Sequence, residues 1–268
     1  MNQQRNAWLS CANSLRCQCL SSNQIKMIAV VCMVIDHFQK TVISQSYRAF
    51  VSPLPVEQRM ALLTGPLAVL DSVLLFVGAI AFPLFCCMLA EGYQHTHSKP
   101  KFLLRLALFA LISELPFDYG FFHGPIPYFQ NVFFTFAIGV ATLMLLEFLQ
   151  EKIPSKWLSI PVQAVALAVI LFLAEERVRG DYGGYGVSCI ILLYYLRKYR
   201  ILQMAALVLL TWWVEPQRLV TMVLAMAIYA LYNGQRGKMN LKYFFYWFYP
   251  AHILLFYAGG LFVRWLGR

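Results

Sequence analysis

Long uninterrupted runs of apolar residues constrain this chain more than any other feature of its sequence. A helix needs about 17–25 mostly apolar residues to cross a bilayer. The runs do not alternate with period two, which favours helices over a barrel. The sequence therefore predicts an all-α, polytopic membrane bundle. Its nine predicted spans cover residues 24–44, 70–92, 101–119, 129–150, 157–174, 183–197, 199–214, 217–233 and 241–264.

The composition excludes a soluble fold. Hydrophobic residues make up 60% of the 268 residues and charged residues 13%, against roughly 25% charged residues in soluble domains. A soluble globule of this size cannot hide so much apolar side chain, because its surface needs polar cover. The seven cysteines follow no recognised zinc or disulfide pattern, and no metal is expected. We predict a polar N-terminal segment, 1–23, and one membrane domain, 24–268.

The net charge of +10 could suggest nucleic acid, but the membrane explains it better because cytoplasmic loops collect Lys and Arg. With the N-terminus in the cytoplasm, the inner segments hold 14 Lys and Arg residues and the outer segments hold 8. The bias predicts a cytoplasmic N-terminus, an outward C-terminus and no nucleic-acid partner. The longest connection, 45–69, could form one or two amphipathic helical turns at 56–64 on the outer surface. It is long enough for a functional loop, and the alternative is a plain surface hairpin.

The first predicted span ends its apolar run in Asp36 and His37. His37 lies twelve residues after Ile25, about 18 Å along a helix, which puts it inside the outer half of the bilayer. Ionisable side chains within spans are costly and mark functional sites, and histidine is suited to moving a proton near neutral pH. His37 is therefore the predicted catalytic residue, oriented by Asp36. The structural alternative is a helix-end pair wetted at the interface.

A second polar group predicts the acceptor side of the same site. Glu114 and Asp118 are four residues apart and share a helical face, and a loop containing His123 then leads to Gln130 and Asn131. These groups could orient a base and bind a polar acceptor. The alternative is a set of capping or interhelical hydrogen bonds. Asp181, at the start of the sixth predicted span, is assigned to the same side.

A third polar group lies at the predicted cytoplasmic end of the second span. Glu91 and His95 are four residues apart, and Lys99, Lys101 and Arg105 follow. Lys and Arg bind phosphate oxygens through charge-assisted hydrogen bonds, so the cluster predicts a site for a phosphate-bearing ligand. The alternative is an ordinary positive cytoplasmic loop.

Two residues within predicted helices carry structural expectations. Pro83 should break the second span and free a backbone carbonyl. His252, in the middle of the last span, is expected to be a packing histidine that is bonded to a neighbour.

Several sequence blocks together resemble the TraX family, whose namesake is the F-pilin acetylase. The resemblance extends from about residue 24 to 257. The blocks are IDH (35–37), AFPLF (81–85), LAEGYQHT (89–96), RLALFALISELPFD (105–118), QNVFFT (130–135), DYGGYGV (181–187) and FYPAH (248–252).

The resemblance, and the similarity of that family to other transmembrane acyltransferases, imply an activity. They imply acetyl-CoA as a cytoplasmic donor, a membrane-embedded histidine that His37 matches by position, and an acceptor amine or hydroxyl on the outer side. They also imply a multi-pass protein of the bacterial inner membrane. The family pattern usually has Gly-Arg where this chain has Gly78 and Ala79, and Arg105 is a candidate to supply the missing charge.

The predicted function is thus acetyl transfer from acetyl-CoA to a protein or glycan acceptor, with His37 as general base or transient acyl carrier. Partners are lipid, acyl-CoA and the acceptor, with oligomerisation left open. One alternative is a proton-coupled transporter that uses the intramembrane carboxylates, although no inverted repeat is seen. Another is a structural partner in a pilus or secretion assembly.

Overall fold

A computed structural model describes residues 18–238 and 241–267, and most of the predicted segment 1–23 lies outside them. A helix occupies each of the nine predicted span ranges, and a further helix lies on the predicted surface stretch 56–64. The described residues form no strand, only two isolated β-bridges. The helices are α1 (Ser22–Val51), α2 (Val56–Thr64), α3 (Pro66–His95), α4 (Lys99–Phe117), α5 (Val132–Lys152), α6 (Lys156–Val178), α7 (Gly183–Tyr195), α8 (Arg200–Val214), α9 (Pro216–Ala230) and α10 (Lys242–Leu266).

Five of the described helices are long and apolar enough to cross a membrane by length and composition: α1, α3, α5, α6 and α10. The helices α7, α8 and α9 are apolar but shorter. The chain is therefore a helical membrane protein. The number of nine spans and the cytoplasmic N-terminus stay predictions.

Local sequence signals set several helix boundaries. Ser21 and Gln24 form a capping box that begins α1, and the Asn131 side chain accepts a hydrogen bond from the backbone of Phe133 to begin α5. Such caps satisfy backbone N–H groups that a helix leaves unpaired at its start. The run of α3 is interrupted at residues 79–80. Pro83 has no N–H to donate to the carbonyl four residues earlier, which accounts for the interruption.

The core of the bundle is built around α7, whose residues are mostly buried and which packs against α3, α5, α6 and α8. The helix α6 lies at the periphery, with a single buried residue between Lys156 and Leu173. Apolar side chains also cover the outside of the bundle, as expected where lipid replaces water. Among those more than 60% exposed are Val69, Leu111, Val165, Phe172 and Leu255.

Connections from distant parts of the chain meet at two ends of the bundle. At the first, Lys99 pairs with Glu147 at 2.6 Å and the Tyr232 hydroxyl donates to Glu91 at 2.9 Å. This is called the basic end, since α1, α4, α8 and α10 begin here with Lys or Arg nearby. The opposite end, where α1 passes His37, is called the histidine end.

The histidine end differs from the basic end in its backbone. Within the described residues, four short π-helical segments extend helices there, at Gln39–Ile43, Tyr47–Val51, Asp118–Phe122 and Ala174–Val178. A π-helical turn shifts the register of a helix and is frequent near functional sites. The irregular backbone begins two residues after His37 and carries Lys40 and Asp118, whereas His37 itself lies on regular α-helix.

Candidate active site

His37 lies in a buried pocket of aromatic rings and contacts a second histidine. Its Nδ1 atom is 2.6 Å from Nε2 of His252, and the two rings are nearly parallel, with 5° between their planes. The rings of Phe121 and Tyr249 meet His37 edge-on, with centroids 5.1 and 5.7 Å away. His37 and His252 are 8% and 5% exposed. The prediction that His252 is bonded to a neighbour is confirmed, and that neighbour is the predicted catalytic residue.

Asp36 has a closer partner than His37, the partner that was predicted. Its Oδ2 atom is 2.8 Å from Nζ of Lys40 and 3.8 Å from Nε2 of His37. The second distance is too long for a hydrogen bond. The contact that fixes the ring of His37 is therefore made by His252, whereas Asp36 forms an ion pair one helical turn further along.

A cavity of about 580 Å³ opens at the basic end and runs between α1, α3, α4, α5 and α10. Cationic side chains line its mouth, namely those of Lys26, Arg105 and Arg236. The buried Nε atom of Arg105 has no hydrogen-bond partner. Phosphate oxygens are acceptors without donors, so this mouth offers charge and an unused donor to a phosphate-bearing ligand.

The inner part of the cavity is apolar and approaches His37. Met33, one turn before His37, lines it together with Phe133 and Tyr249. Tyr249 is also the ring that contacts His37. Lys26 and His37 are eleven residues apart on α1, about 16 Å at 1.5 Å per residue. The cavity thus links cations at one end of the bundle to a ring in contact with His37 near the other.

The predicted phosphate-binding residues fall into two groups. Glu91, His95 and Arg105 line the cavity, and the predicted face of Glu91 and His95 is confirmed by a contact of 3.1 Å between Oε1 and Nε2. Lys99 pairs instead with Glu147 at 2.6 Å. Lys101 is exposed and does not line the cavity.

The predicted acceptor residues make the interhelical hydrogen bonds that were their structural alternative. The Asn131 side chain donates to Glu114 Oε2 at 2.5 Å and to the Ala110 carbonyl at 2.8 Å. Asp118 accepts from the backbone N–H of Ile126 at 3.2 Å. Its buried Oδ1 atom has no partner, which leaves this oxygen available as an acceptor at the histidine end.

The other predicted acceptor residues make different contacts. The backbones of Gln130 and Asp181 are hydrogen bonded at 2.9 Å, which joins the starts of α5 and α7, and the carboxyl group of Asp181 lies close enough to Asp36 and Lys40 to interact with them electrostatically. His123 contacts Gln45 of α1 rather than Glu114. Burial, with Arg48 and Arg264 nearby, lowers the pKa of His123. Among residues 18–238 and 241–267, no three His, Cys, Asp or Glu side chains lie close enough together to hold a metal ion.

Comparison with known proteins assigns the family. A family model described as "TraX protein" matches residues 21–258. The chain belongs to the TraX family. It is also 26% identical over 274 residues to a protein of Dichelobacter nodosus named "Probable fimbrial assembly protein FimC, serogroup H1", covering 91% of this chain and 97% of that protein. No solved structure matches the chain.

The position at which this TraX-family chain has Ala79 lies beside the histidine end. A side chain at the adjacent Gly78 would meet Asp36, whereas Arg105 lies at the mouth of the cavity with His95. His95 is sixteen residues beyond Ala79 along α3, more than about 20 Å away. Arg105 therefore does not take the place of a side chain at position 79, and the expectation that it supplies the missing charge to the donor stays a prediction. The cation beside Gly78 is Lys40, which pairs with Asp36.

Sequence reasoning does not identify three residues of the site as functional candidates. Lys26 is counted there among the positive charges of the cytoplasmic segments, and His252 is interpreted as a packing residue. Tyr249 is given no role. The block FYPAH, residues 248–252, contains Tyr249, whose ring contacts His37, and His252, which is hydrogen bonded to it. Pairing the two intramembrane histidines, 37 and 252, was the available signal, since each is costly alone in a bilayer.

Proposed function

We propose that this TraX-family protein is an integral-membrane acetyltransferase that takes acetyl groups from acetyl-CoA at the basic end and transfers them to an acceptor at the histidine end. The observation that carries the proposal is the cavity, which runs from three cations to Tyr249, in contact with His37. Acetyl-CoA carries its phosphates and its thioester at opposite ends of a long flexible arm. A charged mouth and an apolar interior that leads to a histidine suit that shape.

His37 acts on the acceptor in this proposal. Its ring takes the proton of an amine or hydroxyl as that group attacks the thioester carbonyl. A bond from nitrogen or oxygen to the acetyl carbon forms, the carbon–sulfur bond breaks, and the proton passes from His37 to the departing thiolate of CoA. The buried pocket helps because fewer water molecules compete with the acceptor for the acetyl group.

The acceptor is proposed to be a protein amine at the outer surface, the N-terminus of a pilin subunit. Support comes from the similar protein of Dichelobacter nodosus, whose name refers to fimbrial assembly. A glycan hydroxyl is the alternative acceptor from the sequence. The proposal includes a bacterial inner-membrane location with the basic end in the cytoplasm, which accords with the excess of Lys and Arg in the predicted inner segments.

The test uses the purified full-length chain in lipid nanodiscs, with acetyl-CoA as donor and a peptide of the pilin N-terminus as acceptor. Acetylated peptide and free CoA thiol are measured together. His37→Ala should lower transfer by about 10²–10⁴-fold, the usual worth of a general base, while acetyl-CoA still binds. Near-normal turnover of this variant would remove His37 from the mechanism.

Two further results would redirect the proposal. Acetylation of an outer-surface glycan instead of the peptide would keep the enzyme and change the acceptor. Absence of saturable acetyl-CoA binding, combined with flux of a labelled solute across proteoliposomes without acyl-CoA, would favour the transporter alternative.

A further inference from the structure

The contact between His37 and His252 continues into the backbone and forms a chain of two hydrogen bonds. His37 Nδ1 lies 2.6 Å from His252 Nε2, and His252 Nδ1 lies 2.6 Å from the carbonyl oxygen of Phe248. Phe248 is four residues before His252 on α10, so its carbonyl faces along the same side of the helix. Both rings are buried.

The carbonyl oxygen at the end of this chain fixes where the protons lie. A carbonyl only accepts hydrogen bonds, so Nδ1 of His252 must carry a proton to make its bond to Phe248. In a neutral imidazole the other nitrogen then has a lone pair, and Nε2 of His252 accepts. Its partner, Nδ1 of His37, must therefore be the donor, which leaves the lone pair of His37 on Nε2.

The Nε2 atom of His37 lies on the side of the ring away from these two hydrogen bonds. Asp36 Oδ2 lies 3.8 Å from it, beyond hydrogen-bond distance. The pocket around the ring is lined by the aromatic side chains of Phe121 and Tyr249. A base needs its lone pair directed at the group it deprotonates and free of other donors. In the part of the chain that the structure describes, no donor lies within hydrogen-bond distance of the Nε2 atom of His37, so the second requirement is met.

We propose that His252 is a positioning residue that holds His37 with its proton on Nδ1 and its lone pair on Nε2, ready to accept the proton of the acceptor. The inference rests on the proposed acetyl transfer and adds which atom of His37 reacts. When Nε2 takes the proton, His37 becomes an imidazolium and its Nδ1–H bond to His252 becomes charge-assisted and stronger. His252 keeps its own proton on Nδ1 throughout.

The position of the protons is measured first, because it does not depend on activity. Nitrogen-15 NMR of full-length protein labelled at histidine, in nanodiscs, shows which ring nitrogen of His37 is protonated. The chain has five histidines, and spectra of His37→Ala and His252→Phe assign the two signals. We expect Nδ1 of His37 to be protonated and Nε2 bare. A proton on Nε2 of neutral His37 would overturn the proposal.

Substitution of His252 then tests its effect on His37. His252→Phe keeps an aromatic ring but offers no acceptor, so His37 should populate both neutral forms. We expect kcat to fall by at least about tenfold, but by less than the roughly 10²–10⁴-fold loss that follows removal of a general base. The KM for acetyl-CoA should be unchanged. In His252→Gln the side-chain oxygen can take the place of Nε2 and accept from His37. It should restore the Nδ1 proton and most of kcat.

These readouts separate the positioning role from the proposed function. If His37 carries its proton on Nδ1 in a His252-dependent way but no acetyl group is transferred, the proposed function fails and the positioning stands. If transfer occurs and His252→Phe has normal kcat and an unchanged His37 signal, the positioning fails alone. Should His252→Phe not fold, a proton found on Nε2 of His37 in the His252→Gln variant would equally overturn the positioning role.

Discussion

Replacement of Arg105 by Met is the sharpest test of the cavity as a phosphate site. The side chain lines the mouth, and its buried Nε atom has no hydrogen-bond partner. A hydrogen bond to a charged group is worth about 1.5–3 kcal/mol, which is about 10- to 150-fold in Kd at 1.4 kcal/mol per tenfold. Because the mouth is partly open to water, we expect the low end of this range, about tenfold weaker binding of acetyl-CoA.

The assay is isothermal titration of acetyl-CoA into protein in nanodiscs, with Lys101→Met as the matched control. Lys101 lies in the first turn of the same helix and carries the same charge, but it is exposed and lies outside the cavity. Its loss should leave Kd unchanged at moderate salt, since exposed charges act weakly at a distance. Acetyl-pantetheine without phosphates should bind the wild type and the Arg105 variant equally.

The result that would refute the reasoning is equal weakening by Arg105→Met and Lys101→Met. Binding would then follow the total positive charge of the basic end and not a built site. Unchanged binding in Arg105→Met would also refute it, because the unpaired Nε atom would have no role in holding the donor.

Two stability predictions follow from the packing and are measured by thermal unfolding in detergent. Glu147→Ala removes the acceptor of three hydrogen bonds, from two tyrosines and Lys99, and should lower the free energy of unfolding by roughly 3 kcal/mol. Glu151→Ala, on the exposed face of the same helix, should lower it little. Equal losses of stability in the two variants would show that these hydrogen bonds do not stabilise the bundle. Gly78→Ala would bring a Cβ atom within 2.8 Å of the Asp36 Cα atom and should destabilise by about 1–3 kcal/mol, whereas Gly92→Ala, with its nearest atom at 3.7 Å, should be neutral or stabilising. Equal Tm values for the two Gly variants would contradict the close packing.

Sequence patterns predicted the helices well because the bilayer imposes a simple rule on them. Apolar runs of the required length can only satisfy their backbone as helices, and a helix is found in each predicted range. The amphipathic stretch at 56–64 was also confirmed as a helix, α2, and the interruption near Pro83 occurs as expected. At these positions the sequence pattern and the needs of backbone hydrogen bonding favour the same structure, whichever residues pack against them.

The site was predicted only in part, because contacts between distant residues leave little trace along the chain. The hydrogen bond between Glu91 and His95 follows from helical spacing, and it is present at 3.1 Å. The assignment of Asp36 as the partner of His37 used proximity in sequence. Adjacent residues on a helix point in directions about 100° apart, so Asp36 turns to Lys40 and His37 turns to α10.

The sequence by itself determined that this protein is a helical membrane protein of the TraX family with a costly histidine within α1, because composition, run length and ordered sequence blocks are properties of the chain alone. Tertiary structure decided that His252, 215 residues away, meets His37, and that Lys26, Arg105 and Arg236 surround one cavity. Packing of helices brings such residues together, and the apolar periodicity that drives this packing specifies which faces are buried but not which polar atoms meet within them.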